Sequence, residues 1–393
     1  MKCNTVRIED ICTLVTSGGT PLTSVQSYYT PKEIPWLKTG EVNYCRIYNT
    51  EFYISKEGLE RSSAKLIPAN SVIVAMYGQG DTAGRVAINK IPLSTNQACC
   101  NLIINQEKAD YEYVYYTLCT LYERLVALKN GGAQPNLNAK IIKEIKIPLP
   151  ELDIQHRIAS VLAAYDELID NNQKQIKLLE EAAKRLYKEW FVDLRFPGYE
   201  DVQIVDGVPE GWRKVTLSGI ADVIMGQSPK SEFYNKDKEG LPFHQGVGSY
   251  GNRFVKDDTY STSYTRIAEA GSILFSVRAP VGRLNITKNK IVIGRGLSAI
   301  NHKEHLQSFL FYLLKERFFK EDMVGNGSIF ASISKNELLG QEFIVPSSLL
   351  QSKFNSIASS IDRQIDNLDT KISLLMEARD RLLPKLMSGE IEL

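Results

Sequence analysis

Two stretches of the sequence, one after Pro150 and one after Pro346, place apolar residues at alternating steps of four and three. This spacing is the heptad pattern of a coiled coil and predicts two long helices. A proline just before each start suits a helix, because the first backbone N–H groups have no intrahelical partner. The predicted seams consist of Ile158, Leu162, Tyr165, Ile169, Asn172, Ile176, Leu179, Ala183 and Leu186, and of Phe354, Ala358, Ile361, Ile365, Leu368, Ile372, Leu375, Arg379 and Leu382.

A seam this narrow has to be buried, and the other helix is the nearest surface for it. The alternative is that each helix lies separately on its own globular domain. Asn172 favours the first arrangement, since a single polar seam residue often fixes the register of a coiled coil. The first helix, from 152 to 189, would be about 57 Å long. It should end before Phe196-Pro197-Gly198, and Pro384 should end or kink the second.

The chain contains an internal repeat. Adding 196 to a residue number maps the later part of the first half onto the second without a gap, so that Tyr116 falls on Tyr312 and Asp166 on Asp362. The earlier parts also correspond, with small insertions: "ANSVIVAMYGQGDTAGRVAI" matches "EAGSILFSVRAPVGRLNI". The sequence therefore predicts globular domain, helix, globular domain, helix.

Short apolar runs bounded by glycine, asparagine or proline indicate buried strands in both globular halves, as in "NSVIVAMYG" and "GSILFSVR". Longer apolar stretches, "YEYVYYTLCTLYERLVALKN" and "LQSFLFYLLKERFFKEDM", predict helices. The fold class is therefore α/β (α+β), with two related domains that are each followed by a long helix. The predicted boundaries are 1–150, 151–198, 199–346 and 347–393.

Composition narrows the functional classes. No apolar run is long enough to span a bilayer and the N-terminal segment has no signal-peptide core, so we expect a cytoplasmic protein. A net charge of +1 argues against a protein that holds DNA alone by neutralising phosphates. The six cysteines show no metal or disulfide spacing, and the pair His302 and His305 has no companion ligands, so no metal site is expected.

Phosphate-binding loops, hydrolase and metalloprotease motifs and the target-base motif of adenine methyltransferases are all missing from the sequence. The chain is therefore expected to position something and to perform no chemistry itself. Three interpretations stay open at this point: a DNA-binding subunit of a larger assembly, a stand-alone DNA-binding protein, and an interaction scaffold that dimerises through the coiled coil.

The repeat resembles the DNA-specificity subunit of type I restriction–modification systems over the whole chain. "GGAQPNLNAKIIKEIKIPLPELDIQHRIASVLAAYDELIDNNQKQ" and "IVPSSLLQSKFNSIASSIDRQIDNLDTKISLLMEARDRL" carry the resemblance, while "GNGSIFASIS" departs from the "QPNLN" form. The resemblance implies two target-recognition domains that read a bipartite, asymmetric DNA sequence, with the two helices packed antiparallel as a spacer.

The resemblance also implies partners. Such a subunit is not catalytic and binds no cofactor itself. It assembles with two modification subunits, which bring S-adenosylmethionine, and with restriction subunits, which use ATP and Mg. A two-fold pair of domains would place the half-sites roughly 10 base pairs apart, one turn of the DNA helix.

Comparison of the two halves sorts the candidate DNA contacts. Residues alike in both copies, Arg85 and Arg283 after a shared glycine, are expected to serve the framework or to bind phosphates. Polar loop residues that differ are better candidates for base contacts. In the first domain these are Lys38, Thr39, Tyr77, Gln79, Asp81, Thr82, Gln134 and Asn136, and in the second they are His244, Gln245, Tyr250, Asn252, Arg253, Arg278 and Ser328.

Overall fold

The structure is a computed structural model that describes residues 4–129, 136–318 and 332–393. The chain forms two compact units. Unit 1 comprises Met1–Asn172 with Lys371–Leu393, and unit 2 comprises Gln173–Thr370. Each unit thus combines one globular half with part of each long helix. Among the described helices, none has a stretch apolar and long enough to cross a membrane.

The globular part of unit 1 is built on three antiparallel or mixed sheets, with strand orders β2-β10-β7-β8-β4, β5-β3-β9-β6 and β1-β11. Its strands are β1 (Asn4–Arg7), β2 (Cys12–Ser17), β3 (Ile34–Leu37), β4 (Cys45–Ile47), β5 (Phe52–Ile54), β6 (Leu66–Ile67), β7 (Val72–Ala75), β8 (Val86–Asn89), β9 (Leu93–Thr95), β10 (Cys99–Ile104) and β11 (Lys146–Leu149). Its helices are α1 (Lys56–Glu60), α2 (Tyr111–Thr120), α3 (Tyr122–Ala127) and α4 (Ala139–Glu144).

Strands β7 and β8 lie inside this unit, since every residue of both is buried and all except Asn89 are apolar. Helix α2 covers them. It begins where the Asp110 carboxylate accepts a hydrogen bond from the Tyr113 backbone N–H at 2.8 Å. The single helix predicted here is interrupted at Leu121, where the chain divides into α2 and α3.

The first long helix, α5, spans Leu152–Phe191 and is followed by the globular part of unit 2. The strands there are β12 (Ile204–Val205), β13 (Val208–Pro209), β14 (Arg213–Thr216), β15 (Ala221–Met225), β16 (Tyr234–Asn235), β17 (Leu241–His244), β18 (Tyr260–Ser261), β19 (Ile267–Ala268), β20 (Ile273–Ser276), β21 (Leu284–Ile286), β22 (Ile291–Ile293), β23 (Leu297–His302) and β24 (Glu342–Val345). The helices are α6 (Leu217–Ile220), α7 (Gln307–Phe318), α8 (Lys335–Leu339) and the second long helix, α9 (Ser348–Ser388).

The topology of unit 2 repeats that of unit 1. The order β15-β23-β20-β21 corresponds to β2-β10-β7-β8, and the pair β14-β24 corresponds to β1-β11. Strand β17 runs parallel to β22, as β3 does to β9. The two globular halves therefore share one mixed α/β fold, as the internal repeat predicts.

Both long helices begin close to the predicted positions. Helix α5 ends at Phe191, before the Phe196-Pro197-Gly198 segment, whereas α9 does not end at Pro384 and continues to Ser388. Every position of the two predicted seams is buried or half-buried. By contrast, the side chains of Leu168, Leu178 and Leu374 on other faces are more than half exposed.

Within each unit, α5 and α9 contribute to one core. In unit 1, Ile158 and Leu162 of α5 belong to the same buried cluster as Leu386 of α9. In unit 2, Tyr187 and Trp190 of α5 share a cluster with Phe354 of α9, and the ring centroids of Tyr187 and Phe354 are 5.6 Å apart. Each helix therefore packs against the other as well as against a globular domain.

Candidate nucleic-acid interface

In unit 1, backbone hydrogen bonds bring several loop segments to one edge of the domain. The N–H of Asn96 donates to the carbonyl of Leu37 at 2.9 Å, and the N–H of Met76 donates to Ala98 at 2.8 Å. The N–H of Leu137 in turn donates to Met76 at 3.0 Å. Since Lys38, Thr39, Tyr77 and Asn136 are chain neighbours of these residues, this edge collects candidates from three separate parts of the sequence. We call it edge 1 (residues 37–39, 76–85, 96–98 and 136–137).

The loop between β7 and β8 is the most exposed part of edge 1. Gln79 and Asp81 are exposed, whereas Thr82 is buried and its hydroxyl donates to the Gln79 carbonyl at 2.6 Å. The guanidinium of Arg85 donates to Asp81 at 2.5 Å and to the Asn43 side chain at 2.9 Å. This hydrogen bond from Arg85 holds the pKa of Asp81 below its ordinary value. Arg85 therefore holds the loop and remains partly exposed.

Lys38 and Thr39 follow β3 and differ in accessibility. The ammonium of Lys38 lies 3.4 Å from the ring centroid of Phe52 and 5.2 Å from that of Trp36, which keeps a cation above an aromatic surface. Thr39 is buried, with 7% of its surface exposed. Burial raises the pKa of Tyr77, a half-buried residue of the same edge.

Edge 2 is the corresponding part of unit 2 (residues 244–246, 277–283, 294–297 and 332–333). The N–H of Gly294 donates to His244 at 2.8 Å, that of Gly296 donates to Gln245 at 3.0 Å, and that of Ile333 donates to Val277 at 3.0 Å. The same segments therefore meet as in edge 1. Exposed side chains here include Gln245, Arg278 and Arg295.

Edge 2 is the more basic of the two. Arg278 and Arg283 flank the β20–β21 turn, and Arg295 lies between two glycines in the turn before β23. Sequence comparison missed Arg295, although its glycine neighbours signal a tight turn. An exposed guanidinium can bind guanine through two parallel hydrogen bonds or can pair with phosphate. The exposed guanidinium groups of this edge therefore have the chemistry that suits both base and phosphate contacts.

A glycine in the same strained conformation occurs at the matching turn of each edge. Gly84 has φ +94° and Gly282 has φ +88°, a region that other residues rarely adopt. A Cβ at either site would also meet a neighbouring side chain, Leu125 at 3.3 Å or Phe318 at 3.2 Å. The Gly-Arg pair common to both halves thus begins with a residue that the backbone requires.

Two candidates of the second domain are buried and a third is half-buried. His244 is buried, with Nδ1 2.8 Å from the Ser249 hydroxyl and Nε2 2.9 Å from an Asp257 oxygen. The side chain of Arg253 is 3% exposed and donates to Asp362 at 2.5 Å. Tyr250 is half-buried. Burial and these bonds do not favour base contacts by His244 or Arg253, and we assign both a structural role.

Of the remaining candidates, Asn252 and Asn136 are exposed. Gln134 and Ser328 lie outside the described residues. Within the described part of the chain, no cluster of histidine, cysteine, aspartate and glutamate has the geometry to hold a metal ion.

Comparison with known proteins agrees with the repeated architecture. Residues 2–181 and 209–376 each match the model of the type I restriction modification DNA specificity domain. The type I restriction enzyme MjaIX specificity subunit of Methanocaldococcus jannaschii is 29% identical, over 96% of this chain and 91% of that protein. A second relative from the same organism, the putative MjaX specificity subunit, is 32% identical over 73% of this chain and 69% of its own length.

The fold is also found in a solved structure. The S subunit of a type I restriction–modification system from Mycoplasma genitalium superposes with a TM-score of 0.64 and covers 98% of this chain and 96% of that one, at 19% identity. The two domain matches and the relatives that extend over most of the chain identify one family, and the solved structure shows the same fold. The chain therefore belongs to the type I restriction–modification DNA specificity family and carries two tandem copies of its specificity domain.

Proposed function

We propose that this chain is the non-catalytic DNA-recognition subunit of a type I restriction–modification complex and that it reads a bipartite, asymmetric target. Edge 1 would contact one half-site and edge 2 the other. The observation that carries the proposal is that the two units repeat one topology and one glycine turn, while the exposed side chains on the two edges differ. A shared framework with different polar surfaces suits two different base sequences.

We further propose that α5 and α9 form an antiparallel coiled coil that sets the distance between the half-sites. In unit 1, Asp166 of α5 contacts Arg379 of α9, and in unit 2, Tyr187 contacts Phe354. Residue numbers thus rise along one helix as they fall along the other. The burial of all the seam positions supports the same arrangement.

The proposed partners are double-stranded DNA, two modification subunits that bind S-adenosylmethionine, and restriction subunits that use ATP and Mg. The chain alone should bind DNA weakly, because its net charge is only +1. A salt titration of the isolated chain tests this point. Tight binding without partners would favour a stand-alone DNA-binding protein.

Methylation-sensitive sequencing of DNA modified by the chain together with its modification subunits tests the main proposal. We expect two unlike half-sites separated by a fixed number of unspecified base pairs. A continuous recognition sequence would contradict the bipartite proposal. Co-purification with modification subunits but no sequence-dependent methylation would favour the interaction scaffold.

Arg278→Ala tests the assignment of edge 2. Loss of a bidentate contact to a base typically costs about 1–3 kcal/mol of discrimination at one base pair. We expect a changed base preference at the second half-site and none at the first. Methylation of a target library varied in each half measures this. Arg213→Ala, an exposed arginine on β14 of the same unit, is the matched control. Equal loss over both half-sites would contradict the assignment.

A further inference from the structure

A buried arginine joins the globular part of unit 1 to its long helix. The side chain of Arg46, on β4, is 3% exposed. Its guanidinium donates to Asp166 of α5 at 2.6 Å, to Glu112 of α2 at 2.7 Å and to the Tyr116 hydroxyl at 2.9 Å. One side chain thus connects a sheet, the helix that covers it, and the long helix.

The second long helix completes this site. Arg379 of α9 donates to the other oxygen of Asp166 at 2.6 Å, and the hydroxyl of Tyr116 also donates to Asp166 at 2.5 Å. Burial alone would raise the pKa of Asp166, but hydrogen bonds from Tyr116, Arg379 and Arg46 hold it below its ordinary value. A single ionised carboxylate therefore binds the globular part to both helices.

Unit 2 contains a counterpart built around Arg253. Its guanidinium donates to Asp362 of α9 at 2.5 Å and lies 3.6 Å from Glu180 of α5. The Tyr312 hydroxyl donates to the same Asp362 at 3.0 Å. Again, one arginine of the globular part connects to both helices, although here the arginine and not the aspartate is the central group.

The tyrosines and aspartates of the two sites correspond at the constant offset of 196, but the arginines do not. Arg46 pairs with Ile88 on β8, whereas it is Phe254, the residue after Arg253, that pairs with Ile286 on β21. Ile88 and Ile286 follow the shared Gly-Arg pair at equal distances. The two arginines therefore lie in corresponding segments but one residue out of register, and each reaches the tyrosine–aspartate pair of its own unit.

Net stability is a poor explanation for two such sites. Buried ion pairs are often no more stable than well-packed apolar residues of similar volume, because the charges lose their hydration. Their advantage is geometric, since a planar guanidinium accepts only a narrow range of partner positions. Both sites lie where a target-recognition domain meets its helices, which is where an angular error would be amplified at the DNA.

We propose that Arg46 and Arg253 are positioning residues that fix the angle of each target-recognition domain on the two helices and thereby determine the permitted spacer length. This inference rests on the proposed function. The two arginines need not touch DNA. Their replacement should relax the choice of spacer length and leave the half-site bases unchanged.

Arg46→Gln tests the proposal in the complete chain assembled with its modification subunits. The substrates carry the cognate half-sites with the natural spacer or with one base pair more or less. We expect methylation at the altered spacers, relative to the natural one, to rise roughly tenfold. Without a fixed angle on the helices, the domain can reach a half-site that is displaced by one base pair. Arg61→Gln, an exposed arginine of the same unit, is the control and should keep the natural preference.

The outcomes separate the inference from the function. If the wild type shows no bipartite target, the proposed function fails. If the wild type has a fixed spacer and Arg46→Gln changes the preferred bases, or lowers methylation equally at all spacers, the positioning role is contradicted. Arg46→Lys retains the charge without the planar fork and should give an intermediate relaxation.

Arg379→Met provides a second route if Arg46→Gln does not fold. It removes the contact from α9 and leaves Arg46 paired with Asp166. We expect the same change in spacer preference, to a smaller extent. Arg381→Met, an exposed residue of the same helix, is its control. A folded Arg379→Met variant with unchanged spacer preference would contradict the positioning role.

Discussion

The places where the long helices pack on each globular half follow one plan with different chemistry. We call them junction 1, which contains the ion pairs of Asp166 in unit 1, and junction 2, which contains the aromatic cluster around Phe354 in unit 2. Residues at equivalent positions, in junction 1 and junction 2 respectively, are Arg379 and Ala183, Leu383 and Tyr187, Leu386 and Trp190, Ile158 and Phe354.

The difference shows two ways to hold a domain on a helix pair. Junction 2 buries large rings, with Phe354 within 5.1 to 6.0 Å of Phe191, Tyr187 and Trp190 by ring centroid. Such rings remove much apolar surface from water. Junction 1 has aliphatic side chains and a buried carboxylate whose partners have strict geometry. Because Arg253 binds the helices in unit 2 as Arg46 does in unit 1, we infer that the two junctions impose similar directional constraint and that junction 2 contributes more stability.

The largest effect is expected at junction 2. Phe354→Ala removes a ring with no exposed surface and should lower the free energy of unfolding by about 3–5 kcal/mol. Tryptophan fluorescence in a denaturant titration measures it, because Trp190 and Trp212 both belong to the same aromatic cluster. Leu349→Ala, at an exposed position of α9, is the control. A loss below 1 kcal/mol would contradict the importance of this cluster.

Asp166→Asn should have a somewhat smaller effect, at junction 1. It leaves Arg46 and Arg379 without a charged partner at Asp166, and breaking one member of a buried ion pair costs about 3 kcal/mol. Scanning calorimetry measures the loss. The mutation Asp380→Asn, on an exposed carboxylate beside Arg379, is the matched control. If both variants behave alike, the geometry of junction 1 is unimportant.

Substitution of the glycine shared by the two units should lower stability equally in both units, and by less than the two mutations above. Gly84→Ala and Gly282→Ala each place a Cβ in a left-handed conformation, which costs about 1–2 kcal/mol. Parallel thermal unfolding of both variants measures the cost. A clear loss in one variant and none in the other would contradict the structural equivalence of the two turns.

The smallest expected effect is on how stability depends on pH at Asp166. The folded-state pKa of Asp166 lies below its ordinary value, so its ionised form stabilises the fold above about pH 4. As the pH falls through the lower folded-state pKa, this contribution is lost. The stability gap between wild type and Asp166→Asn should therefore narrow below about pH 4 in denaturant titrations. A constant gap from pH 7 to 3 would contradict this.

Much of the architecture could be predicted from local pattern. The heptad steps identified both helices, and the constant offset identified the repeat, because both signals depend on residues close in sequence or on an unbroken alignment. Of the two alternatives predicted for Pro384, the end of the helix is wrong, because α9 continues to Ser388. A proline removes one backbone donor, and a helix can continue past it where side-chain packing, such as that of Leu386, compensates.

The candidate interface is harder to predict from the sequence than the architecture is. Loop position and polarity selected Gln79, Asp81 and Arg278, which are exposed, but equally selected His244 and Arg253, which are buried. Polarity alone cannot distinguish the two groups. Whether an arginine faces water or an aspartate depends on residues about a hundred positions away.

Sequence pattern alone is enough to predict the repeat, the two long helices and one domain family, because heptad spacing and similarity along the chain can be read without the fold. The arginine that joins each domain to its helices is identified from the contacts in the folded chain. Arg46 and Arg253 stand at no constant offset, and their common role arises because two folded segments bring each guanidinium to an equivalent tyrosine and aspartate. A planar ion pair forms only when backbone distances and directions are already set, and folding sets them.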